Sequence, residues 1–404
     1  MFQSLPLYLQ AMIFSGLAAL IVLISAWWLY LSPVRLGAGP EMTYTAPPPV
    51  SLASWMGGML GLSSILFVSG ALWDASMHIR TGEIPAGADF LWPPHLVLYS
   101  AFLLSFLVAL IALTQVAVNG WQQGERDPRR WVRRNPYLGA VALASLFEML
   151  AIPGDALWHE IFGVDLTAWS PPHLLLALMS GSVLICAVGV LVQARFSAES
   201  RPRRDTAVLL LLGLLLNMVY MVGVLEWELP DHNPLVAARP IWLYPVVGGA
   251  LAFFILSLAR RLVRFRWAAT ATALTFYIVR LLATFLLNKT GNIAPALPLV
   301  FLLGAILIDA FSMDRHHPGK LFVPAQAFAF AAGYCLLALP ALALRTDLLR
   351  ALGSGDYLAA VLASLFVCIA LQPLANLTSK KLLGRQEDQV EMTAVDLQAL
   401  NTGH

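Results

Sequence analysis

Stretches of about twenty residues, almost free of charge, recur along this chain of 404 residues, and no other feature limits its fold so tightly. Eleven of them fall at approximately 9–31, 54–77, 94–117, 137–158, 172–195, 207–226, 241–259, 267–287, 293–311, 321–343 and 355–377. About twenty apolar residues in a helix cross the roughly 30 Å hydrocarbon layer of a bilayer. In that layer no water satisfies the backbone, so a spanning segment must be a helix or part of a closed barrel. The runs lack the period-two alternation of barrel strands, which predicts helices. Charged residues make up only 12% of the chain and hydrophobic ones 59%. Soluble domains carry about 25% charged residues, so a water-facing surface cannot be built from so few.

The expectation is therefore an all-α polytopic transmembrane bundle of about 11 spans, with the lipid bilayer as its first partner. Residues 1–379 form a single membrane domain, and 380–404 form a polar cytoplasmic tail. The Pro- and Gly-rich stretch 33–53 reads as a loop. The first ten residues carry no positive region of the kind that opens a cleavable signal peptide. Cys186, Cys335 and Cys368 all fall inside apolar runs without ligand spacing, and they read as small buried hydrophobes.

Basic residues set the orientation. Clusters at Arg126–Arg134, Arg195–Arg204, Arg260–Arg266, Arg315–Lys320 and Lys380–Arg385 follow alternate spans. Lys and Arg concentrate in cytoplasmic loops, so this side is cytoplasmic, with the N-terminus outside and the C-terminus inside an inner, plasma membrane. The same clusters are explained by topology and lipid contact, so nucleic acid is not an expected partner.

Chemistry is written into two helical hairpins, at about 54–117 and 137–195. The first carries Trp73-Asp74-Ala75-Ser76-Met77-His78 and then Trp92-Pro93-Pro94-His95. The second carries Asp155-Ala156-Leu157-Trp158-His159 and then Trp169-Ser170-Pro171-Pro172-His173. Residues four apart share a helix face, so each Asp points with its following His. Proline is tolerated in a helix's first turn, whose N–H groups lack partners, so each Pro-Pro-His puts a histidine at the start of the returning helix. The hairpin then brings Asp74, His78 and His95 together, and likewise Asp155, His159 and His173. Two imidazoles and a carboxylate suit copper, zinc or non-haem iron. They form two separate sites or one shared dinuclear site toward the outer leaflet. Trp73, Trp92, Trp158 and Trp169 read as an interfacial aromatic belt.

Glu148 lies seven residues before Asp155, on nearly the same face and about 10 Å deeper. It is the candidate catalytic group, relaying protons or orienting a ligand. An ion pair with Arg280, inside the eighth span, is the structural alternative for it. Glu226, Glu228, Asp231 and His232 follow the sixth span as a degenerate third copy of the hairpin, read as a solvated loop, a lid or a source of one ligand. Asp309 is expected to reach water at the cytoplasmic end of the ninth span.

The second hairpin resembles the C subunit of the copper membrane monooxygenases, the particulate methane and ammonia monooxygenase group. That subunit also carries Asp-x3-His and a later His preceded by Pro and Ser, and its next hairpin repeats the pattern with Asn in place of Asp. Asp155, His159 and His173 match the first of these triads, with Trp158 and Pro171 agreeing in context. The resemblance spans roughly residues 70–180. It implies copper in the triads, oxidoreductase activity on a small apolar substrate, and other membrane subunits or further copies of the chain as partners. Neither triad here uses Asn, and the cupredoxin-like domain of the family's B subunit is absent. Two further functions stay open: a zinc-dependent membrane hydrolase, with Glu160 or Asp165 as base, and a metal transport or insertion factor lined by Glu148 and Arg280. Transport needs polar groups through the full depth of the bilayer, whereas most are expected in the outer half. The loop of the second hairpin is shorter, with 13 residues between His159 and His173 against 16 between His78 and His95. Closing it costs less entropy, which favours the second triad.

Reporter fusions at Arg130 and Asp231 should report opposite sides of the membrane. The same side for both would contradict the sorting of charges.

Overall fold

A computed structural model describes residues 47–81, 91–162, 168–228, 240, 242–295, 301–311, 326–334 and 353–383. No strand forms among the described residues. The helices are α1 (Val50–Thr81), α2 (Pro93–Gln122), α3 (Pro128–Arg134), α4 (Pro136–Phe162), α5 (Pro171–Gln193), α6 (Arg201–Glu228), α7 (Leu243–Leu262), α8 (Ala268–Lys289), α9 (Phe301–Ala310) and α10 (Ser354–Leu383). Eight of them are long and apolar enough to cross a membrane: α1, α2, α4 to α8 and α10. The run expected at 9–31 lies outside the described residues. Those at 293–311 and 321–343 are described only through α9 and the helical stretch 326–334. The tail boundary placed at Lys380 falls inside α10, which continues through Leu383.

The bundle is assembled from hairpins. α1 packs on α2 and α4 on α5, and α2 meets α4 to join the two pairs. α6 is the central post, touching α1, α5, α7 and α8, while α10 covers α7. Most of α6 is buried, whereas α2, α8 and α10 turn most of their apolar surface outward. α8 shows the resulting inversion of ordinary amphipathicity. Ile278, Leu281, Leu282 and Phe285 form an exposed stripe at helical spacing, and the opposite face buries Arg280 at 1% exposure. Lipid is the solvent such a surface suits. Close approach of α6 to α8 depends on Gly213, where a Cβ would stand 2.5 Å from the Thr275 Cβ.

Both Asp-x3-His segments lie at the C-terminal ends of α1 and α4, and both Pro-Pro-His segments open α2 and α5. The basic segments near α3, and between α5 and α6, lie at the other ends of these same helices. Triads and basic clusters are thus at opposite ends of the bundle.

Two expectations about buried charge are corrected. Arg280 does not pair with Glu148; its guanidinium lies 4.0 Å from Glu228 and over the rings of Tyr220 and Phe276. Glu148 instead sits between the two hairpins, faced by Ser180 of α5 and Ser105 of α2. Asp309 is not exposed at the surface. It is fully buried and accepts the N–H groups of Ala269 and Thr270, the orphan donors in the first turn of α8, along with the Thr270 hydroxyl. A carboxylate at a helix N-terminus is favoured by the helix dipole, and this one is supplied by a neighbouring helix.

Candidate metal centres

Each centre is built by the same local device. In α2, Trp92 is the N-cap residue and Pro93 and Pro94 fill the first two helical positions. In α5, Ser170 caps and Pro171 and Pro172 follow. Those positions need no N–H, so the first helical bonds come later, from Leu96 N to Trp92 O at 3.1 Å and from Leu174 N to Ser170 O at 2.9 Å. His95 and His173 are therefore fixed in the third position of their helices. The preceding helix delivers Asp and His one turn apart, and helix–helix packing closes the triad.

Asp74, His78 and His95 converge so that one ligand atom from each lies within 4.8 Å of the others, and Asp155, His159 and His173 do the same. His95 Nε2 is 3.1 Å and His78 Nε2 3.4 Å from Asp74 Oδ1. In the second triad, Asp155 Oδ1 is 3.8 Å from His159 Nε2 and 3.7 Å from His173 Nε2. Donor atoms bound at about 2.0–2.1 Å to one tetrahedral ion stand about 3.3 Å apart. The two Asp–His distances of the first triad are already close to that spacing, and those of the second need only a small contraction. In the first triad, Asp74 Oδ1 and His78 Nδ1 are buried and make no hydrogen bond of good geometry. Buried polar atoms are rarely left so, and a cation at the point where the three donors converge would satisfy the carboxylate. The donor set and its spacing fit a transition-metal ion.

The shorter loop does not make the tighter triad, and the distances run the other way. Gly70, one turn before Asp74, explains part of this. A Cβ there would stand 3.0 Å from Leu98 Cγ, 3.1 Å from Leu98 N and 3.2 Å from Pro94 O. Any side chain there would crowd the first turn of α2, so glycine favours the close approach of α1. The residue one turn before Asp155 is Ala151, which carries the Cβ that Gly70 lacks. Pro153, inside α4, has no N–H and removes a helical bond just before Asp155; Leu72 stands at the corresponding place in α1. Gly70 was legible as Gly-x3-Asp, but only the packing shows its use.

The tryptophans are not a simple belt. Trp92 is buried, with its ring edge-on to His78 at 4.9 Å and to His95 at 5.8 Å. It walls the first centre, and Tyr99 lies 5.9 Å from His95 on another side. Trp169 donates from Nε1 to the carbonyls of Val222 and Gly223 and packs edge-on against Trp227. Trp73 packs against the core, and Trp158 lies against Phe162. Glu226 and Glu228 belong to α6 rather than to a loop, and Glu226 accepts the N–H of Ala168. The end of α6 is thus tied to the second hairpin just before its Ser-Pro-Pro-His turn. Asp231 and His232 lie outside the described residues.

Glu148 is 2% exposed, and its Oε2 has no hydrogen-bond partner among the described residues. Ser105 binds the Ser63 hydroxyl at 2.7 Å, and Ser63 donates to Ala101 O at 2.8 Å. One polar cluster, Ser63–Ser105–Glu148–Ser180, thus draws on α1, α2, α4 and α5. By helical rise it lies about 10 Å below the second triad and about 15 Å below the first. Glu160, the hydrolase candidate base, is exposed. It is five residues beyond Asp155, which turns it well away from the triad face. Asp165 lies outside the described residues.

Compared with known protein families, with characterised proteins and with solved structures, the chain matches none.

Gly70→Val should push α1 off α2 and weaken metal binding at Asp74, His78 and His95 at least tenfold in a chelator-competition titration. Overpacking of this kind costs about 1–3 kcal/mol, and a tenfold loss is about 1.4 kcal/mol. Gly154→Ala, where a Cβ meets nothing within 4 Å, is the matched control. Equal affinity in the two variants would show that the close approach does not shape the site.

Proposed function

We propose that this chain is a copper-binding membrane oxidoreductase, or the metal-carrying subunit of one, related in its chemistry to the copper membrane monooxygenases. The observation that carries the reading is the convergence of two His-His-Asp sets at one end of an apolar helix bundle. Bound copper would supply one-electron chemistry toward dioxygen or a reduced donor. The protein's part is to hold the imidazoles and carboxylates in place, to wall the first centre with Trp92 and Tyr99, and to keep bulk water out. A small apolar substrate would arrive through the lipid-facing helices. Glu148, beneath both centres and joined to both hairpins through serines, is placed to take up or release a proton without exposing the centres to water. Of the two candidate bases for the hydrolase alternative, Glu160 points away from the second triad and Asp165 lies outside the described residues.

The test is metal content followed by turnover. Purified protein should hold copper. His78→Ala with His95→Ala, and His159→Ala with His173→Ala, should each remove about half of it, while His316→Ala with His317→Ala should remove none. Glu148→Gln should keep the copper and lower oxygen uptake in the presence of a short alkane and a reduced quinol at least tenfold. Zinc in place of copper, or full copper in both triad variants, would overturn the assignment.

A further inference from the structure

The second half of the bundle holds buried polar groups that the metal centres do not use. They run along α6, α7, α8 and α9. At the end that carries the triads, Glu228 closes α6. Its Oε1 accepts the hydroxyls of Tyr220 at 2.7 Å and Tyr244 at 2.9 Å, and its Oε2 lies 4.0 Å from Arg280. Deeper, Asn217 donates to Gly213 O and Phe276 O. Thr272 follows, fully buried, and Ser257 lies on α7, three residues before Arg260 and so on the same face. At the other end, Asp309 caps α8 and lies 3.7 Å from Arg260. Glu228, Arg280, Asn217, Thr272, Ser257 and Asp309 are each at most 2% exposed. From the first turn of α8 to Arg280 is eleven residues, about 17 Å along the helix axis by the usual rise. That is more than half of a roughly 30 Å hydrocarbon layer. Polar groups are therefore not confined to the outer half of the bundle.

What makes this more than a set of packed side chains is how many of its atoms are unsatisfied. Glu228 Oε2, Asn217 Oδ1, Thr272 Oγ1, Ser257 Oγ and all three guanidinium nitrogens of Arg280 are buried without a hydrogen-bond partner among the described residues. Leaving such groups unmet is costly, and buried water is the usual remedy where protein supplies no partner. Seven such atoms on α6, α7 and α8 call for a file of internal waters rather than isolated ones.

We propose that α6–α9 enclose a hydrated proton path between Asp309 and Glu228, separate from the metal centres. A proton relayed through internal water to the buried Asp309 carboxylate, near the basic end, passes on through waters held by Thr272, Asn217 and Arg280. It leaves from the Glu228 carboxylate at the triad end, with one proton in and one out and no other bond changed. Protons are the fitting cargo. The guanidinium groups of Arg260 and Arg280 stay charged and repel metal cations, while the facing carboxylates repel anions. A hydrogen-bonded file passes protons without moving either.

The test is proton flux in vesicles holding the full-length protein, with an entrapped pH-sensitive dye and a potassium gradient made conductive by valinomycin. The wild type should acidify the interior at least fivefold faster than protein-free vesicles. Glu228→Gln, Asp309→Asn and Asn217→Leu should each abolish that excess, and Asn217→Ser, which keeps a hydrogen-bonding group, should retain it. His159→Ala with His173→Ala should leave the flux unchanged even though about half of the copper is lost, so failure of the metal assignment and failure of the path are read separately. Size-exclusion profiles identify any variant that fails to fold, and Glu228→Gln, which alters no volume, decides the matter if Asn217→Leu does. Wild-type flux equal to that of empty vesicles, flux untouched by Glu228→Gln, or flux lost with the histidines would overturn the path.

Discussion

Each centre depends on one contact: the last turns of a helix carrying Asp-x3-His pressed against the proline-led first turn of the next. Prolines at the first two helical positions place the following histidine without leaving a donor unmet. The preceding helix needs only its own periodicity to present the other two ligands on the same face. Where Gly70 lets the first hairpin's helices come close, the Asp–His donors stand 3.1 and 3.4 Å apart. Where Ala151 and Pro153 intervene, they stand 3.7 and 3.8 Å apart. Two hairpins of matching pattern can thus present the same three ligands, one Asp and two His, and still differ in the spacing of the donors.

Beneath that end the bundle keeps its ionisable groups inside. Charges within a bilayer are costly and are held against partners in the protein interior. Glu148 is held among serines where the two hairpins meet. Arg280 is held between Glu228 and two aromatic rings, and Asp309 by the N-terminus of α8. The lipid-facing stripe of α8 shows the complementary arrangement, with only apolar side chains outside.

Hydropathy alone made the spanning helices legible, because a run such as 207–226 has no other stable conformation in lipid. The triads were legible for a local reason too: i,i+4 spacing and Pro-Pro-His are both statements about a single helix. What could not be read were pairings between helices distant in sequence. Arg280 faces Glu228 rather than Glu148 because α8 packs on α6 and not on α4, and no spacing rule reports that. Asp309 looks like a water-facing end residue until α8 is seen to begin beside it. Trp92 looks like a belt residue until its ring is found against two imidazoles.

The central claim is that the two Asp-His-His sets bind metal directly. X-ray absorption at the copper edge of the purified, copper-loaded protein tests it most directly. Nitrogen and oxygen scatterers are expected at about 2.0 Å, with the outer-shell signature of two imidazoles per copper, lost when His78, His95, His159 and His173 are replaced. Sulfur scatterers at about 2.3 Å, or an unchanged imidazole signature in that variant, would contradict it.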